Sequence, residues 1–176
     1  VLRRAKSSWK SEAASDHDRP LSGRGKRSAP LIGAALSARG WVPDVVLCSD
    51  ARRARDTYER MASFFPNAEV TLCPELYAAG LEEVSSLCSR LPAHVTTAMV
   101  VGHNPGWEVM VRALTGQNVL MTTGNAALLE CEAATFAEAF AAADTGDRDG
   151  AARFRLVELI RPRDPTPKSI RSVGVL

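Results

Sequence analysis

The sequence is short of the residues from which metal centres and covalent staples are built. It holds three histidines and four cysteines in 176 residues, and Cys48, Cys73, Cys88 and Cys131 have neither the paired spacing of zinc ligands nor that of a redox pair. No metal or other cofactor is therefore expected. Four reduced, largely buried thiols fit a reducing soluble compartment, the cytoplasm or an organelle interior. Charge of one sign is missing too. The 22 basic and 20 acidic residues are spread along the chain and leave a formal net charge of +2, so no general affinity for nucleic acid is expected. No apolar run approaches the roughly 20 residues of a membrane-spanning helix, and no signal-peptide pattern is visible. The sequence opens at Val1, inside an apparent strand, so the native start and any targeting information are not readable from it.

What is present is the composition of a folded domain, 45% hydrophobic and 24% charged. Two apolar runs end in polar turns: Val45 to Cys48 before Ser49-Asp50, and Ala98 to Val101 before Gly102-His103-Asn104-Pro105-Gly106. Both read as buried strands of an α/β sheet. Ala51 to Phe65 and Trp107 to Leu114 have helical spacing, Leu81 to Leu91 reads as a further helix, and Ala126 to Cys131 and Phe154 to Ile160 read as strands closing the sheet. A polar connection, Ser7 to Gly25, leads into an Ala- and Leu-rich helix ending at Arg39-Gly40, which Pro30 either starts late or kinks. Ala133 to Ala143 reads as a helical insert, followed by a turn cluster from Asp144 to Gly150. One domain, residues 1–161, precedes an extended tail, 162–176, whose Pro162, Pro165 and Pro167 exclude a helix or a central strand.

Four segments carry the chemistry. They are Val1-Leu2-Arg3-Arg4-Ala5-Lys6-Ser7-Ser8-Trp9, then Ser15 to Gly25, then Ser49-Asp50-Ala51-Arg52-Arg53-Ala54-Arg55-Asp56-Thr57, and last Val101-Gly102-His103-Asn104-Pro105. Ligands of α/β sheets bind where the loops after several strands converge, and Arg3, Arg4, Arg53 and His103 all stand at expected strand ends. Guanidinium forks match phosphate oxygens, and a flanking imidazole adds another donor.

In this order the segments resemble the motifs of the histidine phosphatase (phosphoglycerate mutase-like) superfamily, in its short branch of SixA-type phosphohistidine phosphatases. The resemblance runs to Arg161. It implies a three-layer α/β/α sandwich with a mostly parallel central sheet. It also implies phosphate binding by Arg3, Arg53 and His103, and a leaving-group acid among Asp16, Asp18 and Glu75. In the family a histidine after the first strand attacks phosphorus to give a covalent intermediate. Here that place is held by Arg4, whose guanidinium, with a pKa above about 12, keeps its proton and is no nucleophile. Attack by His103 instead would need a different pose of the phosphate.

Several readings stand side by side. Arg3 either binds phosphate or pairs with Asp16, Asp18 or Glu75. Arg4 either fills the phosphate site, neutralised by Asp16 or Glu75, or adds a third fork to an anion pocket. Arg52 and Arg55 are expected to face solvent, and His17 and His94 to be exposed loop histidines. The preferred function is a pseudoenzyme, a non-catalytic structural or phosphate-binding subunit that reaches a protein partner or larger assembly through its tail. The alternatives are an active phosphohistidine or small-phosphoester phosphatase and an anion-responsive regulator. Deleting residues 162–176 is expected to leave the melting temperature nearly unchanged. A large loss of thermal stability in the truncated protein would show that the tail packs on the core.

Overall fold

The computed structural model describes residues 1–9, 13–144 and 154–162. Six strands form one sheet: β1 (Leu2–Arg3), β2 (Val45–Cys48), β3 (Glu69–Leu72), β4 (Ala98–Gly102), β5 (Ala126–Cys131) and β6 (Phe154–Ile160), in the spatial order β3-β2-β4-β1-β5-β6. Pairing is parallel among the first four positions of that order, while β5 runs antiparallel to both β1 and β6. The helices are α1 (Gly23–Ser37), α2 (Arg52–Glu59), α3 (Leu81–Cys88), α4 (Gly106–Thr115) and α5 (Phe136–Asp144).

Strand alternation sends successive side chains to opposite faces, and each face has its own core. Val45, Leu47, Val100 and Ala127 pack with residues of α3, α4 and α5. Val46, Cys48, Met99 and Val101 pack on the other face with Ile32 and Leu36 of α1 and Ala54 and Tyr58 of α2. The central strands are apolar throughout because both faces are covered. The result is a mostly parallel sheet between two helical layers, as the sequence resemblance implied.

Register places the chemistry. Leu2 lies beside Val101 and Arg3 beside Gly102, while Cys48 also lies beside Val101. Two further backbone bonds, Arg4 N–H to the Gly102 carbonyl and Ser49 N–H to the Val101 carbonyl, both 2.9 Å, extend the ladder past the strand ends. Residues 4, 49 and 103 therefore leave the sheet side by side.

Two sequence expectations are corrected. Helix α1 begins at Gly23 and continues through Pro30, so the proline does not delay its start. Three residues further on, Gly33 lies so close to the turn after α2 on the same face that a Cβ there would stand 2.7 Å from that of Met61. The expected helix over Ala51 to Phe65 ends at Glu59 and resumes only as a 3-10 turn at Ala62–Phe64. The helix expected over Trp107 to Leu114 spans Gly106–Thr115, one residue longer at each end. Beyond Asp144 the expected turn cluster lies outside the described residues, as does the tail past Pro162.

Helix α4 is fixed to the sheet by the fully buried Trp107, whose Nε1 donates to the Leu2 carbonyl at 2.9 Å. A Cβ on Gly102 would meet that ring at 2.4 Å. Gly102→Ala should cost about 1–3 kcal/mol by overpacking. Removing the clashing ring atoms with Trp107→Phe should make the double variant less unstable than the sum of the two single changes, as measured by denaturant titration. Simple additivity would show that the contact does not set the cost.

Candidate anion site at the carboxyl ends of the strands

Asp16 sits among arginines. Its Oδ2 accepts from Arg53 Nη2 at 2.9 Å and from the Tyr77 hydroxyl at 2.8 Å, and its Oδ1 from Arg19 Nη2 at 3.0 Å. Arg53 Nη1 also donates to the Asp16 carbonyl. The Tyr77 hydrogen bond, then the charges of Arg53 and Arg19, hold this carboxyl below its ordinary range. A carboxylate so held carries no proton at neutral pH, so Asp16 serves the cluster as its counter-ion rather than as an acid.

Arg4 is half-buried beside this pair. Its Nη1 donates to the Ala5 carbonyl at 3.1 Å and to Ser7 Oγ at 3.2 Å. Burial, then the charges of Arg53, Arg3 and Arg19, push its pKa down to about 10, with Asp16 acting the other way. It remains a cation at pH 7. Arg3 turns toward the loop after α4, where it donates to the Met121 carbonyl; burial lowers its pKa, opposed by the charge of Glu108, which itself accepts from the Met121 N–H at 2.8 Å. The Nε atoms of Arg3, Arg4, Arg19 and Arg53 are buried without a hydrogen-bond partner. Such donors favour an anion that can accept from them.

His103 is buried at the end of β4, with Nε2 at 2.9 Å from Ser49 Oγ and Nδ1 unpartnered. Burial, then Arg53 and Arg4, push its imidazole down to about 3, so it is neutral at physiological pH. Its ring meets Tyr77 edge-on at 5.5 Å.

The sequence-derived residues are thus distributed as follows. Arg53, His103 and Arg4 act on one another's charge, and Arg4 also feels Arg3. A cavity of about 520 Å³ opens over Arg3 and Arg4 and is walled by Lys6, Arg24 and Trp9; Arg53 and His103 do not line it. Asp18 is exposed and bonded to Ser15 Oγ at 2.7 Å. Glu75 is exposed on the 3-10 turn Pro74–Tyr77, and its charge acts on Cys73. Asp18 also lies 4.0 Å from His17 Nδ1, and among the described residues no ion pair joins Arg3 to Asp16, Asp18 or Glu75.

His17 is corrected. Read from sequence as an exposed loop residue, it is half-buried, bonded through Nε2 to Asp50 Oδ1 at 2.9 Å and packed 5.2 Å from the Tyr77 ring. His94, Arg52 and Arg55 are exposed as expected. Sequence reasoning also missed Ser49, Arg19 and Tyr77. Ser49-Asp50 directly follow β2, a signal that was available; Glu75, two residues before Tyr77, pointed to the right segment but not to the tyrosine.

A second concavity, about 540 Å³, lies at the opposite end of the sheet and is lined mainly by apolar side chains such as Leu36, Val84, Leu114 and Phe140. It gathers no cluster of charged groups to carry chemistry. Among the described residues no three His, Cys, Asp or Glu side chains are placed to hold a metal ion, and no helix is long and apolar enough to cross a membrane.

The depressed imidazole has a consequence for stability. The unfolded chain takes up a proton at His103 near pH 6.5, whereas the folded chain resists it down to about 3. Between those values the unfolded state binds more protons, so stability falls as pH falls, by at most about 1.4 kcal/mol per pH unit. Asp16, with its lowered carboxyl pKa, loses its contribution only below the ordinary carboxylate range. The Val1 amino group, pushed down to about 6 by burial, adds to the fall above that pH, so His103 dominates in the window from about pH 6 to 5. His103→Gln should flatten the fall in unfolding midpoint across that window, and an unchanged slope would show that the imidazole is not held neutral.

The model of the histidine phosphatase superfamily (branch 1) matches residues 1–79. An uncharacterized chloroplastic protein of Arabidopsis thaliana is 36% identical over 156 residues, covering 83% of this chain and 72% of that protein. The fold is similar to that of a protein from Agrobacterium tumefaciens assigned as the phosphohistidine phosphatase SixA, at TM-score 0.73 and 26% identity, covering 92% of this chain and 95% of the other. A second protein assigned as SixA, from Nakamurella multipartitia, gives TM-score 0.73 and 28% identity over 93% of this chain and 94% of its own. With its arginines gathered at the carboxyl ends of a mostly parallel sheet, and with that identity over that length, the chain belongs to the histidine phosphatase superfamily.

Proposed function

We propose that the protein is a phosphoryl-binding member of this superfamily that has lost covalent catalysis, a pseudoenzyme serving as a phosphate-binding or structural subunit. The observation that carries the reading is Arg4. By resemblance it stands where the family places its attacking histidine, and it is a half-buried cation at physiological pH beside three other arginines. A protonated guanidinium has no lone pair to offer phosphorus. What remains is a set of unpartnered donors around surplus positive charge, suited to a tetrahedral dianion. Arg53, His103 and Arg4 would hold the phosphoryl group, with Arg3 at the cavity side and Asp16 orienting Arg53. Any protein partner reached by the tail belongs to the same proposal.

A second reading, an active phosphatase for phosphohistidine or a small phosphoester, is favoured by one observation. The His103 imidazole is neutral and its Nδ1 has no partner, so a nucleophilic lone pair is available if the tautomer places the proton on Nε2. The SixA assignment of the two structural neighbours agrees with it.

One experiment separates the two. The wild-type protein should show no turnover of an aryl phosphate or a phosphohistidine peptide above background, while Arg4→His should gain measurable activity and trap a phosphoenzyme on residue 4. Recovery need not be complete, since misplacement by about an ångström can cost ~100-fold in rate. Wild-type turnover that His103→Gln abolishes would establish the second reading instead. Inorganic phosphate should raise the melting temperature of the wild type in either case.

A further inference from the structure

The cavity over Arg3 and Arg4 lies beside the proposed phosphoryl site, sharing Arg4 with it but not Arg53 or His103, and the rest of its wall is cationic. Lys6 and Arg24 are both exposed and line it, together with Trp9, Thr122 and Thr123. The two cations are held close by the backbone. The Lys6 carbonyl accepts from the Ser22 N–H and the Ser22 hydroxyl, both at 2.9 Å, and a Cβ on Gly25 would stand 2.2 Å from that same oxygen. Residue 6 is thereby clamped against the first turn of α1, whose second residue is Arg24. That first turn contains no acidic residue to offset the positive end of a 15-residue helix, Ser22 Oγ accepts only the Gly25 N–H at 3.1 Å, and the turn contributes Arg24 to the cavity wall.

A further observation is independent of the helix. The Arg19 side chain is 8% exposed and lies 3.7 Å from the centre of the Trp9 ring, and its Nε and Nη1 are unpartnered. The cations Arg3, Arg4, Arg19, Arg53, Lys6 and Arg24 outnumber the two carboxylates, Asp16 and Glu108, whose charges reach Arg4 and Arg3. One dianion leaves a positive surplus. A volume of about 520 Å³ is also that of a small-ligand pocket.

We propose that Lys6 and Arg24, with the first turn of α1, form a second anion subsite, so that the preferred ligand is a small molecule bearing two phosphoryl groups close together, a diphosphate. The proposal rests on the reading of the arginine cluster as the first phosphoryl site. A small molecule is favoured over a phosphorylated acidic peptide because the cavity has the volume of a small-ligand pocket, and because guanidinium forks and helix N–H groups suit tetrahedral oxyanions.

Calorimetric titration of the wild-type protein with inorganic phosphate and with inorganic pyrophosphate, at matched ionic strength and in the presence of a chelator, tests it. Pyrophosphate should bind at least tenfold more tightly than phosphate. In Lys6→Gln, Arg24→Gln and the double variant the ratio of the two affinities should fall stepwise toward one, while Arg60→Gln, on the exposed end of α2, should leave the ratio unchanged. Both substituted side chains are exposed, and circular dichroism checks that each variant is folded. If phosphate binds but pyrophosphate binds within twofold of it, or if the ratio survives in the double variant, the second subsite is overturned while the first stands. A gain seen only with an acidic phosphopeptide would also overturn it, in favour of a protein ligand. If neither anion binds, the phosphoryl-site reading itself fails.

Discussion

Asp16 is shared among Arg53, Arg19 and Tyr77, and much of the geometry at the top of the sheet follows from that sharing. The carboxylate belongs to the loop between β1 and α1, Arg53 to α2, and Tyr77 to the turn after β3, so one side chain joins segments that are distant in the chain. Once Asp16 is placed, its neighbours have little choice. His17 is carried to Asp50, and Arg19 is laid over Trp9. The Asp16 side chain is half exposed. Its ion pairs are therefore screened and contribute less to stability than to position.

A single counter-ion does not balance the arginines it gathers. The consequences are visible in two groups of different chemistry: the Arg4 guanidinium is pushed down to about 10 and the His103 imidazole to about 3, each by burial first and neighbouring cations second. A bound dianion would reverse the second of these causes. It would also couple anion binding to proton uptake at His103, since the imidazolium is favoured by a negative neighbour and disfavoured by the bare cluster. By the same linkage a ligand that binds only the folded chain adds RT ln(1 + [L]/Kd) to its stability.

The sequence made the sheet's centre legible because β2 and β4 are buried on both faces and read as continuous apolar runs. It did not reveal β3. Glu69–Leu72 is an edge strand with every residue exposed, and it lacks the apolar signature by which a strand is read. Pro30 was misjudged because local propensity alone was weighed, and α1 continues through it. At the site, Arg3, Arg53 and His103 were legible as strand-end residues within motifs. His17, Arg19 and Tyr77 were not, because their place depends on the path of a polar loop and on a hydrogen bond formed only after folding. Glu75, an acidic residue near the right strand end, is exposed, and the side chain of its turn that bonds Asp16 is Tyr77.

The backbone that presents residue 4 does not depend on that residue's side chain. The Arg4 N–H is bonded to the Gly102 carbonyl, the Arg4 carbonyl accepts from the Gly124 N–H at 3.1 Å, and the next N–H, of Ala5, is bonded to Thr57 Oγ1 at 3.0 Å. Ala5 is fully buried and Leu2 nearly so, which fixes the direction in which the chain leaves β1. A different side chain at position 4 is therefore carried to the same place by the same main-chain contacts. If, as proposed, a guanidinium stands here in the place of an imidazole, the fold can accommodate it because the fold is determined elsewhere, whereas the chemistry turns on whether that one side chain has a lone pair. On the pseudoenzyme reading, retention of the surrounding arginines follows from the same separation. They bind the anion by charge and geometry, and neither of those requires the covalent step.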